Sequence, residues 1–253
     1  MTQRHLTILT GASRGMGLAM AQQLLAGGHD LLCLSRKTNE QLAAQASQAG
    51  RQCEQWPQDL ARADTAAARL EAWLKQQDSG SLASVNLISN AGMIPRIAPV
   101  DAIPASDLAE AMRVDLEAPM LLAGAFLRGT AAWPMPRRIL NISSGLGRRA
   151  MASQAAYCAA KAGMDHFTRC VALEQAALPH GARICSLAPG VIDTDMQVQL
   201  RGADASSFPD RGNFVGLKDK GMLASPEEAA RKVLAFLQRA DFGSNPVADV
   251  RDA

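Results

Sequence analysis

Leu6-Thr7-Ile8-Leu9-Thr10, followed by Gly11-Ala12-Ser13-Arg14-Gly15-Met16-Gly17, is the stretch that decides the fold. The first five residues predict a short buried strand. Three glycines then punctuate a turn, and residues 18–26 continue with helical spacing. Strand, glycine turn and helix start make a cradle for a dinucleotide. Glycines let the backbone approach a pyrophosphate, and the helix N-terminus offers free N–H groups at the positive end of its dipole. The spacing is G-x-x-x-G-x-G rather than G-x-G-x-x-G, so the place of the turn between strand and helix carries the reading.

Outward from this turn, strands and helices alternate. Residues 29–35, 52–56 and 84–89 read as strands, and residues 39–50 and 64–77 as helices, with Asn39 as an N-cap. A long helix starts at Ser106 or Asp107, contains Asp115 and ends near residue 127. Residues 138–144 and 183–187 are further strands, on either side of a helix over residues 154–177. Ser225-Pro226-Glu227-Glu228 starts another helix, with Ser at the N-cap, Pro at N1 and Glu at N3. A last short strand lies near residues 246–248. This alternation predicts one α/β domain over residues 1–253, built on a doubly wound parallel sheet of about seven strands flanked by helices. Residues 130–136, with Trp133-Pro134-Met135-Pro136, read as a surface loop. Residues 195–223 are the least patterned segment, and their place after a strand end suits a substrate lid.

Composition excludes several classes. Hydrophobic residues make up 48% of the 253, enough for a sizeable core. The net charge of +2 has its signs interspersed, with no basic block to suggest nucleic acid. No apolar run is long enough for a membrane span, and the first residues lack the apolar segment of a signal peptide. Cysteines 33, 53, 158, 170 and 185 are odd in number and lack a C-x-x-C, so they read as small buried hydrophobes of a reducing, cytoplasmic protein. The four histidines are scattered, and no metal is expected.

Tyr157 is the only tyrosine. Lys161 follows it by four residues and shares its helix face. Ser144 ends a strand thirteen residues before Tyr157. A phenol, a cation and a hydroxyl within reach make a proton-transfer site. A free phenol has a pKa of about 10, and a nearby cation is expected to lower it. The same residues also fit one tyrosine and one solvated lysine, so the rest of the chain must decide. At the end of the second strand, Ser35 precedes Arg36-Lys37, and no acid lies between Leu31 and Asn39. Cations there suit a ribose 2′-phosphate, with Arg14 as a third. After the third strand, Asp59-Leu60 offers a carboxylate for the adenine amino group or a cap for the next turn. Asn90-Ala91-Gly92 presents small residues over which a cofactor can pass.

Thr10 to Gly17, Asn90-Ala91-Gly92, Ser144, Tyr157-x-x-x-Lys161 and Pro189-Gly190 stand in the order of the short-chain dehydrogenase/reductase family, and the resemblance covers nearly the whole chain. It implies a single-domain Rossmann fold, a nicotinamide cofactor and no metal. It implies Tyr157 as general acid/base, Lys161 as its pKa modulator and ribose ligand, and Ser144 as substrate-oxygen ligand. It places Pro189, Gly190 and Ile192 at the cofactor and Thr194 at its nicotinamide end. Ser89 stands where the family usually has Asn. Asp115, in Val114-Asp115-Leu116, stands where a catalytic Asn usually holds a helix kink and a relay water. Its charge is expected to act on Lys161 or on the relay. More finely, Asn141 to Ser144, Asp193-Thr194-Asp195-Met196-Gln197 and the end of the chain resemble sepiapterin reductases and bacterial reductases of aromatic diketones such as benzil. That likeness implies Asp249 as a pterin anchor. The expectation is an NADPH-dependent carbonyl reductase (NADP+ as its oxidised cofactor) acting on a small ketone, a diketone or a pterin side-chain carbonyl. A homodimer or homotetramer through the Asp115 and Tyr157 helices is implied. A catalytically silent cofactor-binding scaffold and an NAD-dependent alcohol dehydrogenase are the alternatives.

Overall fold

Strand β1 (Arg4–Thr10) lies inside a parallel sheet, paired with β2 (His29–Ser35) on one side and β4 (Leu82–Ser89) on the other. The computed structural model describes residues 4–252; Met1 to Gln3, on which the expectation about the first residues falls, and Ala253 lie outside them. With β3 (Cys53–Pro57), β5 (Arg137–Ile142), β6 (Arg183–Ala188) and β7 (Val247–Asp249), the sheet order is β3-β2-β1-β4-β5-β6-β7, and every pair is parallel. The order reverses between β1 and β4, which opens a crevice at the carboxyl ends of those strands.

Helices cover both faces. Helices α1 (Gly15–Ala26) and α9 (Pro226–Gln238) pack Met20, Leu24, Val233 and Leu237 onto one face, over Leu9, Cys33, Ile88 and Leu140. Helices α3 (Ala63–Leu74) and α5 (Ala118–Gly129) pack Leu70, Leu74, Leu122 and Phe126 onto the other, over Ile8, Leu32, Leu87 and Ile139. Successive strand residues therefore feed opposite cores, which is why the strands read as unbroken apolar runs. Helix α2 (Glu40–Gln48) starts at Asn39, whose side chain accepts the Leu42 N–H at 3.1 Å. Ser225 does the same for Glu228 at the start of α9, also at 3.1 Å.

Four expectations change. The long helix is interrupted: α4 (Ala105–Met112) passes through a π-turn (Arg113–Glu117) into α5, with Asp115 on the widened turn. Trp133 is buried rather than on a surface loop, because its proline-rich turn folds the indole onto the α5 core. Residues 195–223 hold two helices, α7 (Asp195–Gly202) and α8 (Arg211–Asp219). Phe208 between them is 1% exposed and anchors the segment. Among the cysteines only Cys33 and Cys185 are buried, Cys170 is exposed, and all five are free thiols.

At the amino ends of the strands, His5 and His29 stack with ring centroids 5.0 Å apart. Asn86 donates to Thr7 Oγ1 at 3.2 Å, and that hydroxyl lies 3.0 Å from His29 Nδ1. Burial first, and the neighbouring His5 second, push His29 down to about 4, against an opposing pull from Asp30. An unfolded histidine takes up its proton near 6.5, so the unfolded state binds the extra proton between the two values. Stability is therefore expected to fall as pH drops from about 6.5 to about 4, by roughly 3 kcal/mol from this residue. Thermal melts at pH 7 and pH 4.5 check it: His29→Gln should lose clearly less stability on acidification than the unsubstituted protein.

Candidate active site

Helix α6 (Ala155–Ala176) is alanine-rich and begins beside the carboxyl end of β5. Tyr157 and Lys161 lie on its buried face, 8% and 4% exposed. Lys161 Nζ sits 5.6 Å from the centroid of the tyrosine ring and donates to the Ile142 carbonyl at 3.1 Å. The chain leaves β5 through Ser143 and Ser144. Ser144 caps a short turn, its Oγ accepting the Leu146 N–H at 3.1 Å, and its hydroxyl is near enough to the Tyr157 phenol to favour the phenolate. Ser144, Tyr157 and Lys161 are thus brought together.

Asp115 joins them from the π-turn. It is wholly buried, its Oδ1 accepts the Met93 N–H at 2.9 Å, and the same oxygen lies 3.9 Å from Lys161 Nζ. Burial pushes the Asp115 carboxyl up, against Lys161 and the Met93 N–H. The phenol differs from the expectation that Lys161 draws it below 10. Burial first, and the Asp115 charge second, push Tyr157 well above its ordinary value, while the Ser144 hydroxyl pulls the other way. An anion close to the lysine offsets the field that the cation would otherwise impose.

Sequence reading missed the residue that fixes this geometry. Asp165 stands four residues beyond Lys161, on the same helix face, and is 1% exposed. Its Oδ1 accepts from Ser143 Oγ and Ser186 Oγ, both at 2.6 Å, and its Oδ2 accepts from Arg148 Nε at 3.2 Å. Arg148 in turn donates to the Ala248 carbonyl at 2.8 Å. One carboxylate therefore ties β5, β6 and α6 together and, through Arg148, holds β7. An acid inside an apolar helical run was the available signal.

The glycine turn faces this cluster across the crevice. A Cβ at Gly17 would collide with the Gly11 carbonyl oxygen, so the first turn of α1 lies directly on the loop. Gly11 N–H donates to the Leu34 carbonyl at 2.8 Å, and Ala12 N–H to Ser35 Oγ at 2.9 Å. The N–H groups of Asn90 and Ala91 both reach Thr10 Oγ1 at 2.9 Å, and Asn90 Nδ2 donates to the Thr10 carbonyl at 3.0 Å. The turn is pinned between β2 and β4. Its Ser13 carbonyl accepts from Asn39 at 3.4 Å, and Met16 is buried beneath it. Arg36 and Lys37 are exposed just past β2. Arg14 is turned away from them and pairs with Asp195 of α7 at 2.5 Å. Asp59 caps its own turn through the Ala61 N–H at 3.0 Å, and Leu60 belongs to the core. Ser89 Oγ is buried and, among the described residues, has no hydrogen-bond partner.

Pro189 and Gly190 follow β6 directly, Ile192 bridges Ala224, and Thr194 precedes α7. The Thr194 methyl stands over Gly15, where an added Cβ would lie 3.8 Å from it. Asp249 ends β7 in register with Ala188, and its side chain is turned into a salt bridge. Arg251 donates to Asp249 Oδ1 from Nε at 2.8 Å and to Oδ2 from Nη2 at 2.6 Å, and this pairing holds the carboxyl below its usual range. Around Tyr157 the wall is apolar. Ile94, Leu200 and Phe208 are buried with it, bordered by Leu146, Met151, Met196 and Phe214. Phe208 and Phe214 stack with centroids 5.6 Å apart. Gln199 of α7 donates to the Ile94 carbonyl at 3.2 Å, closing the segment over this wall.

Among the described residues no His/Cys/Asp/Glu group could hold a metal ion, and no helix is long and apolar enough to cross a membrane. Residues 5–205 match the family model described as short chain dehydrogenase. The chain is 32% identical over 240 residues to benzil reductase ((S)-benzoin forming) of Bacillus cereus, covering 95% of this chain and 96% of that protein. It is 30% identical over 263 residues to sepiapterin reductase of Bos taurus, covering 98% and 95%. A metagenomic short-chain oxidoreductase solved in complex with NADP superposes with a TM-score of 0.72 at 25% identity, covering 97% of this chain and 94% of that one. With a serine, a tyrosine and a lysine converging opposite a glycine turn, and with these likenesses along almost its whole length, the chain belongs to the short-chain dehydrogenase family.

Proposed function

We propose that this protein is an NADPH-dependent carbonyl reductase whose general acid is Tyr157. The convergence of Ser144, Tyr157 and Lys161 under an apolar wall, opposite the glycine cradle, carries the reading. The cradle fits a nicotinamide dinucleotide: Gly17 leaves no Cβ between the α1 N-terminus and the loop, and Ser13, Gly15 and Thr194 line the way from the turn to α7. When bound, such a cofactor supplies a hydride to a carbonyl carbon. Ser144 then holds the carbonyl oxygen, and Tyr157 protonates the alkoxide as it forms. A phenol raised by burial remains an acid over a wide pH range, which suits reduction. Arg36 and Lys37, without a competing acid at the end of β2, select the 2′-phosphate. Residues 195–223, with α7 and α8, act as the substrate lid.

The wall around Tyr157 favours an apolar, aromatic ketone or diketone. Asp249 would serve a pterin only if its carboxylate were released from Arg251, which holds both oxygens. The test is a panel of benzil, a pterin ketone and a quinone with NADPH. Turnover of benzil at least about tenfold faster than the pterin is expected, and no NADPH oxidation with any of them would refute the assignment. In the same panel Asp249→Asn is expected to leave benzil turnover within about twofold. A selective loss with the pterin would restore Asp249 as a substrate ligand.

The face around the π-turn presents Met112, Leu116 and Met120, the last 40% exposed, and we assign this face to a homodimer contact. Sedimentation of Met120→Glu checks it: a shift from dimer to monomer is expected.

A further inference from the structure

We propose that Asp115 is a fixed anion that neutralises Lys161 and biases this site toward reduction, by keeping the Tyr157 phenol protonated. The proposal rests on the reading of Tyr157 as the acid, and it concerns a residue that departs from the pattern the chain otherwise follows.

The geometry carries it in three steps. Lys161 is buried, and the nearest anion to its ammonium is Asp115 Oδ1 at 3.9 Å; among the described residues it pairs with no other carboxylate. The π-turn places the carboxylate there: the extra residue in the turn points Asp115 inward, where the Met93 N–H fixes Oδ1 at 2.9 Å. Gly92 leaves the space that the pair occupies. A Cβ at Gly92 would lie 2.9 Å from Asp115 Oδ1 and 3.7 Å from Lys161 Nζ. Among the described residues Asp115 Oδ2 has no hydrogen-bond partner, neither a donor to hold the carboxylate nor an acceptor to hold an acid proton. Hydrogen bonding at Oδ2 therefore does not choose the protonation state: burial favours the neutral acid, and the Lys161 ammonium with the Met93 N–H favours the carboxylate on which the proposal depends.

The consequence falls on the phenol. The groups that bear on it are Asp115 from the π-turn, Lys161 and Cys158 from its own helix, and the Ser144 hydroxyl from the turn after β5. Reduction needs the protonated phenol, which gives its proton to the alkoxide. Oxidation needs the phenolate, which takes a proton from the alcohol. An anion beside Lys161 opposes the phenolate and leaves the protonated phenol untouched. The two directions are thus weighted by one carboxylate.

Tyr157 is the only tyrosine, so ultraviolet titration of the folded protein reads this group alone, with and without oxidised NADP. Asp115→Asn keeps the shape and the acceptor for Met93 and removes the charge. The phenol midpoint is expected to fall by at least about one pH unit, a tenfold gain in phenolate at fixed pH. The pH midpoint for alcohol oxidation and the alkaline limit for ketone reduction should both fall with it. An unchanged or higher midpoint in a folded Asp115→Asn protein overturns the proposal, because it means that Asp115 was already neutral. Should that variant not fold, Asp115→Ser gives the same comparison, with the same downward shift expected and the same overturning result. Both outcomes are separate from the test of Tyr157 as the acid, which reads turnover in a tyrosine variant.

Discussion

Tyr157→Phe is expected to lower kcat/KM for ketone reduction by roughly a thousandfold or more, while NADPH binding stays within about threefold of the parent. Phenylalanine keeps the ring that packs with Ile94, Leu200 and Phe208, so the fold and the wall survive. It removes the only phenol of the chain, the group proposed to protonate the alkoxide. Lys161 remains anchored on the Ile142 carbonyl at 3.1 Å and does not depend on the phenol for its place. Steady-state rates with benzil, beside fluorescence titration with NADPH, separate the two quantities. Activity within tenfold of the parent would remove Tyr157 from the chemistry.

The second large effect is in cofactor choice. Arg36→Ala/Lys37→Ala is expected to erase a preference for NADPH over NADH of about a hundredfold or more. Both cations are exposed and, among the described residues, pair with no other side chain, directly past the strand whose Ser35 and Leu34 hold the glycine turn. Two charge-assisted contacts to a dianionic phosphate, at about 1.5–3 kcal/mol each, amount to that factor or more. The loss should appear almost wholly with NADPH, leaving NADH kinetics within about twofold. Arg14→Ala is the control. That side chain is paired with Asp195, so its removal is expected to cost far less discrimination than the double substitution.

Much of this was legible before the structure. The order of strands and helices follows from apolar runs and capping residues, and Asn39 and Ser225 cap the helices that the sequence places there. Ser144, Tyr157 and Lys161 meet because strand end and helix face are both readable from local spacing. What local spacing does not contain is long-range partnership. Arg14 looks like a phosphate ligand until α7 brings Asp195 to it, 181 positions away. Asp249 looks like a substrate anchor until Arg251 closes on it. The phenol was expected to be acidified by its lysine, and burial together with Asp115 reversed the direction. Helices α7 and α8 escaped detection because their apolar residues serve the wall around Tyr157 and lack a sustained helical period.

Asp165 separates two jobs that a protein of this size could easily have entangled. The strand ends beside Tyr157 and Lys161 are bolted to one another through Ser143, Ser186 and Arg148. The apolar wall around Tyr157 is drawn from elsewhere, much of it from α7, α8 and the Phe208 turn. Recognition can therefore be rewritten without dismantling the catalyst. Exchanging Phe208, Phe214 or Leu200 for other apolar residues should redirect which ketone is accepted, whereas any change at Asp165 should degrade every substrate alike. For directed evolution, residues 195–223 are the place to diversify, and position 165 is the one to leave alone.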